Sequence, residues 1–436
     1  MVLGSLAFYV SFAYDLDRTD FIKLVALFVA LFFLHYKLIQ FEKWNLKFLL
    51  VTGILFRLVF LITLPNLSQD FYRFIWDGEL VSNGINPYLQ LPNTLIEQEG
   101  LIIRNATELY TGMGNLSAKH YSNYPPLNQL IFAISSLLGG KSILGAVVIM
   151  RSIIILADIG VLYFGRKLLQ NLNRSPHLIF WYFLNPLIII ELTGNLHFEG
   201  VMLFFFVWAM YLLSIKKWVS AAIIYAFSIS LKLVPLLFLP LFLNYFGLKK
   251  SILFYLTVGG TLLLMLLPFY SPEFISNYSE TIGLWFSNFE FNASLYNVAK
   301  KIAILFDVKP WEFIKDVGKI SPYITIGIVL LFTFLRNNKK LSSLITAMLW
   351  VLAIYYFIST TVHPWYPIFL VLLSVFTNYK FPLLWSLTII LSYWAYSNPD
   401  YNEHLGLLFI EYSVVFGYML YEILKNKGNN VIFLKN

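Results

Sequence analysis

The densest run of chemically capable side chains is Ser68-Gln69-Asp70-Phe71-Tyr72-Arg73-Phe74-Ile75-Trp76-Asp77-Gly78. Asp70, Arg73 and Asp77 recur at three- and four-residue spacing, so a helix would carry both carboxylates and the guanidinium on one face beside Phe74. Such a helix could also lie in a membrane interface, with its Trp and Tyr at headgroup level and its charges in water. The turn that follows, Asn83-Gly84-Ile85-Asn86-Pro87-Tyr88, folds the chain back on the same region and favours a site. Two more stretches are chemically loaded for their length. Gly194-Asn195-Leu196-His197-Phe198-Glu199-Gly200 places an imidazole and a carboxylate at i and i+2, apart on a helix but able to converge in a loop. Thr361-Val362-His363-Pro364-Trp365-Tyr366-Pro367 puts His363 at a helix break framed by Trp365 and Tyr366, residues that also suit an interfacial belt. With six His, no Cys and no His-Glu-x-x-His, neither stretch has a convincing metal-ligand set.

Charges within apolar segments are costly unless paired or facing an aqueous cavity. They are Arg57, Arg151, Asp158, Glu191, Lys232 and Glu411. Arg151 and Asp158 lie two helical turns apart on one face, which suggests a structural pair or a shared network. Lys232 has no acid near it in sequence. A lone cation there suits an anionic headgroup, with simple snorkelling as the alternative.

The elements that must position these groups follow from composition. The 436 residues are 59% hydrophobic, 18% aromatic and 12% charged, with a mean hydropathy of +0.72. Soluble domains are about a quarter charged, so this is a polytopic membrane protein with no sizeable water-facing catalytic domain and no extended disorder. The formal charge of +8 reads as orientation in the bilayer and not as a nucleic-acid surface. The absence of cysteine removes thiol nucleophiles, disulfides and Cys-ligated metals. Apolar runs near 2–14, 21–39, 46–65, 142–165, 176–194, 197–215, 251–270, 321–336, 341–361, 364–378, 382–397 and 405–424 each suit a helix. The run 218–246, broken by Pro235 and Pro240 around Lys232, reads as a hairpin of two short crossings, and 124–140 as re-entrant. The expectation is an all-α bundle of about 12 to 14 helices forming one domain over 1–436. Its long outer loops are 66–123 and 271–320, the first carrying short interfacial helices. Basic clusters such as Arg166-Lys167, Lys216-Lys217, Lys249-Lys250 and Lys339-Lys340 then fall inside, and both termini with them.

No phosphate-binding Gly-rich loop, dinucleotide fingerprint or nucleophile elbow is present. Asp15-Leu16-Asp17 matches an Asp-x-Asp metal signature, but it lies in a short outer turn with no nucleotide-binding domain around it. Any donor must therefore come from the membrane.

Taken together, Ser68 to Gly78, Asn86-Pro87-Tyr88, Tyr124-Pro125-Pro126-Leu127, the Gly-Asn-x-His turn, Lys232 in Leu-Lys-Leu-Val-Pro and His363-Pro364-Trp365-Tyr366 resemble the GT-C superfamily of membrane glycosyltransferases. More narrowly they are similar to bacterial polyprenol-phosphate-mannose-dependent mannosyltransferases. The resemblance implies inverting transfer of a hexose from a polyprenyl-phosphate donor to a hydroxyl of a glycan or glycolipid acceptor, at the outer face of the bacterial inner membrane. It makes Asp70 the general base. Arg73, Lys232 and His363 become candidates to face the leaving phosphate, and Asp77 a group that positions the sugar or holds Arg73. Tyr72, Asn86, Tyr124, Asn195, His197, Glu199, Trp365 and Tyr366 become substrate contacts. The Gly-Asn-Leu-His-Phe-Glu stretch departs from the Gly-His-Asn-Asp form of some relatives. Some superfamily members use a divalent metal, but the implied cofactor here is none, the lipid-linked sugar being a substrate. The rival readings are a transporter or lipid-linked glycan flippase, whose hallmark is paired repeats with broken helices, and a glycan polymerase or ligase. The early, asymmetric polar loop favours the transferase.

Overall fold

The computed structural model describes residues 1–287 and 289–426. The C-terminal end, expected on the cytoplasmic side, lies outside them. The described chain is helical, with one isolated bridge between Phe291 and Thr361.

The N-terminal hairpin is α1 (Val2–Tyr14) and α2 (Phe21–Glu42). Asp20 starts α2 by accepting from Lys23 N, and Asn45 starts α3 (Leu46–Leu58) by accepting from Phe48 N. The segment 66–123, expected as an outer loop, then holds α4 (Asp70–Ser82) and α5 (Ala106–Ala118). Next comes α6 (Pro126–Leu138), whose thirteen residues cover about 20 Å, short of the ~30 Å hydrocarbon core. Gly78 lets α4 lie directly on α6, because a Cβ there would stand 2.4 Å from Phe132 O. The long α7 (Ile143–Asn171) is followed by α8 (Glu199–Ser214) and α9 (Trp218–Ile229), which pack in series.

The run 176–194, expected as one crossing, is a broken pair. Pro176–Phe183 and Pro186–Gly194 meet at 54°. Pro186 cannot continue the preceding helix, and Asn185 caps the second half by accepting from Leu187 N. Its last six residues, Ile189–Gly194, widen into a π turn. The hairpin read around Lys232 is present as α9 and Val234–Phe246. The remaining helices are α10 (Leu248–Leu266), α11 (Pro272–Ser287), α12 (Leu295–Leu305), α13 (Pro310–Phe334), α14 (Leu341–Ile358), α15 (Pro367–Val375), α16 (Phe381–Thr388) and α17 (Leu405–Asn426). The α13 helix begins well before the apolar run at 321, so part of the expected 271–320 loop is helical. Six of these helices are long and apolar enough to cross a membrane, or seven with the bent pair counted, among the described residues. The other apolar segments are shorter helices or turns.

Two buried arginines tie the bundle together. Arg57 Nε donates to Asp158 Oδ2 at 2.8 Å with both side chains fully enclosed, and Tyr182 OH donates to the other carboxylate oxygen at 3.3 Å. Asp158 is therefore not the partner of Arg151, as the spacing suggested. It meets Arg57 of α3, whereas Arg151, two turns earlier on the same face, meets backbone carbonyls. The Arg151 guanidinium donates to the carbonyls of Leu61, Thr63, Thr193 and Gly194 at 2.6–3.1 Å. It thereby fixes the exit of α3 to the end of the π turn, and both segments lead into the site.

Candidate active site

Asp70 is the first residue of α4, where the helix dipole favours an anion. Its carboxylate has no hydrogen bond and no ion pair among the described residues. Burial pushes its pKa up, the charges of Lys232 and Arg18 pull it down, and Glu199 pushes it up again. These groups therefore share one electrostatic neighbourhood.

Arg73 and Asp77 leave that neighbourhood. Arg73 Nε donates to Asp77 Oδ1 at 2.7 Å, and its Nη1 donates to the carbonyls of Ser117 and His120 at 2.6 and 3.0 Å. Asp77 also accepts from Ser122 Oγ at 2.5 Å and Gln129 Nε2 at 3.2 Å. The pair fastens the end of α5 to α4, and a buried Arg73 whose Nε and Nη1 are already engaged, with only Nη2 unpartnered, is no free cation for a phosphate. Tyr72 turns to α5, where a Cβ on Gly112 would meet its ring at 2.6 Å. Asn86 caps its own turn, accepting from Tyr88 N at 3.1 Å and donating to Phe269 O at 2.9 Å. These two shape the segment 66–123. Tyr124 stands edge-on to Phe74 at 5.0 Å, close enough to Asp70 and Glu199 to feel both charges.

The opposite wall comes from the second loaded turn. Glu199 opens α8 and meets Lys232 Nζ at 3.0 Å, so Lys232 is not the lone cation its local sequence suggested. The partner arrives from the preceding helix pair. Glu191 accepts from Tyr393 OH at 2.6 Å and from Asn195 Nδ2 at 3.1 Å. His197 Nε2 is 3.5 Å from Glu191 Oε2 without a hydrogen bond. His197 instead stacks on Trp365 at 3.8 Å, Trp365 on His363 at 4.6 Å, and His363 on Phe291 at 5.3 Å. Tyr366 lies across this stack, 5.3 Å from His363.

Burial and the charges of Lys232 and Arg18 push His363 down to about 4, and burial together with Lys232 and His363 holds His197 well below its usual range. Both imidazoles are therefore neutral near pH 7, and His363 supplies no positive charge. A ligand would meet unpartnered buried atoms here: Glu199 Oε2, Asn195 Oδ1, His363 Nδ1 and Arg18 Nε. Among the described residues no three His, Asp or Glu side chains are grouped to hold a metal ion.

A cavity of about 200 Å³ opens beside Lys232 and Glu199. Its lining mixes Met202, Val234, Ile358 and Phe369 with the hydroxyls of Ser321, Thr325, Tyr355, Tyr356, Ser359, Thr360, Thr361 and Tyr366. Sequence reasoning missed Arg18, Tyr393 and Tyr396 altogether. The one signal was an arginine in an outer turn, against the inward bias of basic residues elsewhere.

Asp70, Tyr124, Glu191, His197, Glu199 and Lys232 all lie in the stretch 19–246, which matches a family model described as alpha-(1->6)-mannopyranosyltransferase, N-terminal domain. The chain belongs to this mannosyltransferase family. It is 24% identical over 356 residues to alpha-(1->6)-mannopyranosyltransferase A of Corynebacterium glutamicum, across 73% of this chain and 68% of that protein. With alpha-(1->6)-mannopyranosyltransferase B of the same organism it shares 26% identity over 146 residues, 33% of this chain and 23% of the relative. The chain thus spans under a quarter of one curated relative and about two thirds of the other. Within the mannosyltransferase family match lie the acid at α4 and the Glu199–Lys232 pair. The ring wall from Phe291 to Tyr366 lies beyond it.

Proposed function

We propose that the protein transfers a hexose, mannose by its family, from a polyprenyl-phosphate donor to an acceptor hydroxyl of a glycan or glycolipid. Transfer takes place at the outer face of a bacterial cytoplasmic membrane, with both termini inside and with inversion at the anomeric carbon. The observation that carries this reading is the unpaired Asp70 carboxylate at a helix N-terminus, grouped electrostatically with Lys232. Asp70 accepts the acceptor hydroxyl proton while that oxygen attacks the anomeric carbon. The bond from that carbon to the phosphate oxygen breaks, and its electron pair stays on the phosphate, faced by Lys232. General-base assistance of this kind is worth about 10²–10⁴ in rate, and a raised carboxylate pKa makes a stronger base than free aspartate.

The cavity beside Lys232 supports a lipid donor. Ser321 and Thr325 of α13 line it, whereas Ile320, Tyr323, Ile324 and Ile326 of the same helix are exposed in the manner of a lipid-facing surface. A polyprenyl chain could therefore enter sideways from the bilayer with its phosphate at the ammonium. The test is Asp70→Asn in purified protein given a polyprenyl-phosphate mannose and an acceptor mannoside. Transfer should fall at least about 10²-fold. Undiminished transfer would remove Asp70 as base, and transfer from a nucleotide sugar alone would remove the lipid donor.

A further inference from the structure

We infer that Arg18, delivered by the turn between α1 and α2, is a second phosphate-binding cation of this site, its guanidinium fork binding the donor phosphate together with Lys232. The inference rests on the proposed lipid-phosphate donor. Arg18 lies outside the family-matched residues 19–246, as does the ring that supports it.

The turn is held rigidly at the site. Asn66 Nδ2, just upstream of Asp70, donates to the carbonyls of Phe12 and Leu16 at 2.8 and 3.1 Å, and Tyr14 OH donates to Val59 O at 3.2 Å. The neighbouring acids are engaged elsewhere: Asp15 pairs with Lys23 at 2.7 Å, and Asp17 accepts from Thr19 N and Oγ1 at 2.8 and 2.7 Å. Arg18 is therefore left without a carboxylate partner among the described residues, and its buried Nε makes no hydrogen bond. What holds it is a ring. Its Cζ stands 3.5 Å from the centroid of Tyr396. Tyr396 packs on Phe291 at 5.7 Å, and Phe291 stacks on His363, so the guanidinium ends the aromatic wall described above.

Tyr396 engages Arg18 through its ring and its side-chain hydroxyl, but Nε stays unpartnered, and a guanidinium offers phosphate oxygens a fork of N–H donors two at a time. Its charge reaches the same two groups as Lys232 does, Asp70 and His363. As the anomeric bond to phosphate breaks and its electron pair settles on the phosphate oxygen, two cations then share the charge, and the acceptor proton goes to Asp70.

The test uses the full chain in detergent and the affinity for a short polyprenyl monophosphate, with the uncharged polyprenol as control. Arg18→Gln should weaken the monophosphate on the order of 10- to 100-fold, as expected for losing hydrogen bonds to a charged group, and leave polyprenol unchanged. Arg18→Lys, which keeps the charge but not the fork, should fall between. In transfer assays Arg18→Gln should lower kcat while the acceptor KM holds, with the thermal midpoint unaltered. Equal monophosphate affinity in wild type and Arg18→Gln would overturn the role of Arg18 even if transfer from the lipid donor is seen. Equal losses for monophosphate and polyprenol would reduce Arg18 to packing on Tyr396. If wild-type protein binds neither lipid, the donor assignment itself fails, and the Arg18 inference with it.

Discussion

Lys232 Nζ lies 3.0 Å from Glu199 Oε1, and the second oxygen of that carboxylate is buried without a partner. Glu199 thus holds the ammonium at the cavity mouth and keeps an acceptor free for a sugar hydroxyl. Lys232→Met should cut kcat/KM for the lipid donor by about 10²–10³, the usual loss for one charge-stabilising donor. Glu199→Gln should cost less, because the ammonium stays. Steady-state kinetics on both variants checks the order, and equal losses would contradict it.

The Asp70 pKa has a definite sign. Its carboxyl is raised above the ordinary aspartate value, so the ionised base accumulates as pH rises and the acid limb of kcat/KM should lie above the free-aspartate range. Lys232→Met removes a charge that pulls this pKa down and should move the limb to higher pH. Glu199→Gln removes one that pushes it up and should move it lower. The same shift bears on stability. A folded-state pKa above the unfolded value stabilises the fold below the unfolded pKa, and that contribution is lost as pH rises through the folded pKa. Asp70→Asn should therefore raise the thermal midpoint at pH 8 more than at pH 4.

Removing one member of the Arg57–Asp158 pair leaves a buried charge uncompensated. Arg57→Met or Asp158→Leu alone should each destabilise the protein by roughly 3–5 kcal/mol, and the double variant should recover most of it. Thermal unfolding in detergent reads this directly. Additive losses in the double variant would show that the pair is not the coupled unit the 2.8 Å contact implies.

Gly78→Val should be tolerated poorly although the position looks like the last residue of a motif. Any Cβ meets backbone and the Ser136 hydroxyl at 2.4–2.6 Å, so α4 must move off α6. The expected cost is about 1–3 kcal/mol, with a loss of transfer as Asp70 shifts. Unaltered stability and activity would mean that the two helices do not need to touch.

The membrane segments were readable because hydropathy is contiguous along the chain. The 54° break at Asn185-Pro186 was not, since the apolar run on either side of the Asn-Pro pair is long enough to read as one crossing. The site was legible in its types more than in its pairings. Asp70, Arg73 and Asp77 share a helix as their spacing requires, yet Asp77 completes its shell with Ser122 and Gln129, which no local period reveals. Arg151 and Asp158 share a helix face too, but Asp158 meets Arg57 within α3 while Arg151 is taken up by carbonyls past the end of α3 and in the π turn, so they have separate partners. Local spacing shows which residues can face one way. Tertiary packing decides what they meet.

The four carbonyls on the Arg151 guanidinium imply an order of assembly. A chain made from its N-terminus presents Leu61 and Thr63 first, then the guanidinium, and only later Thr193 and Gly194. The backbone just ahead of Asp70 therefore waits for a clasp that closes only when Thr193 and Gly194 are in place. A nascent chain halted before residue 194 would hold the acid but not its seat.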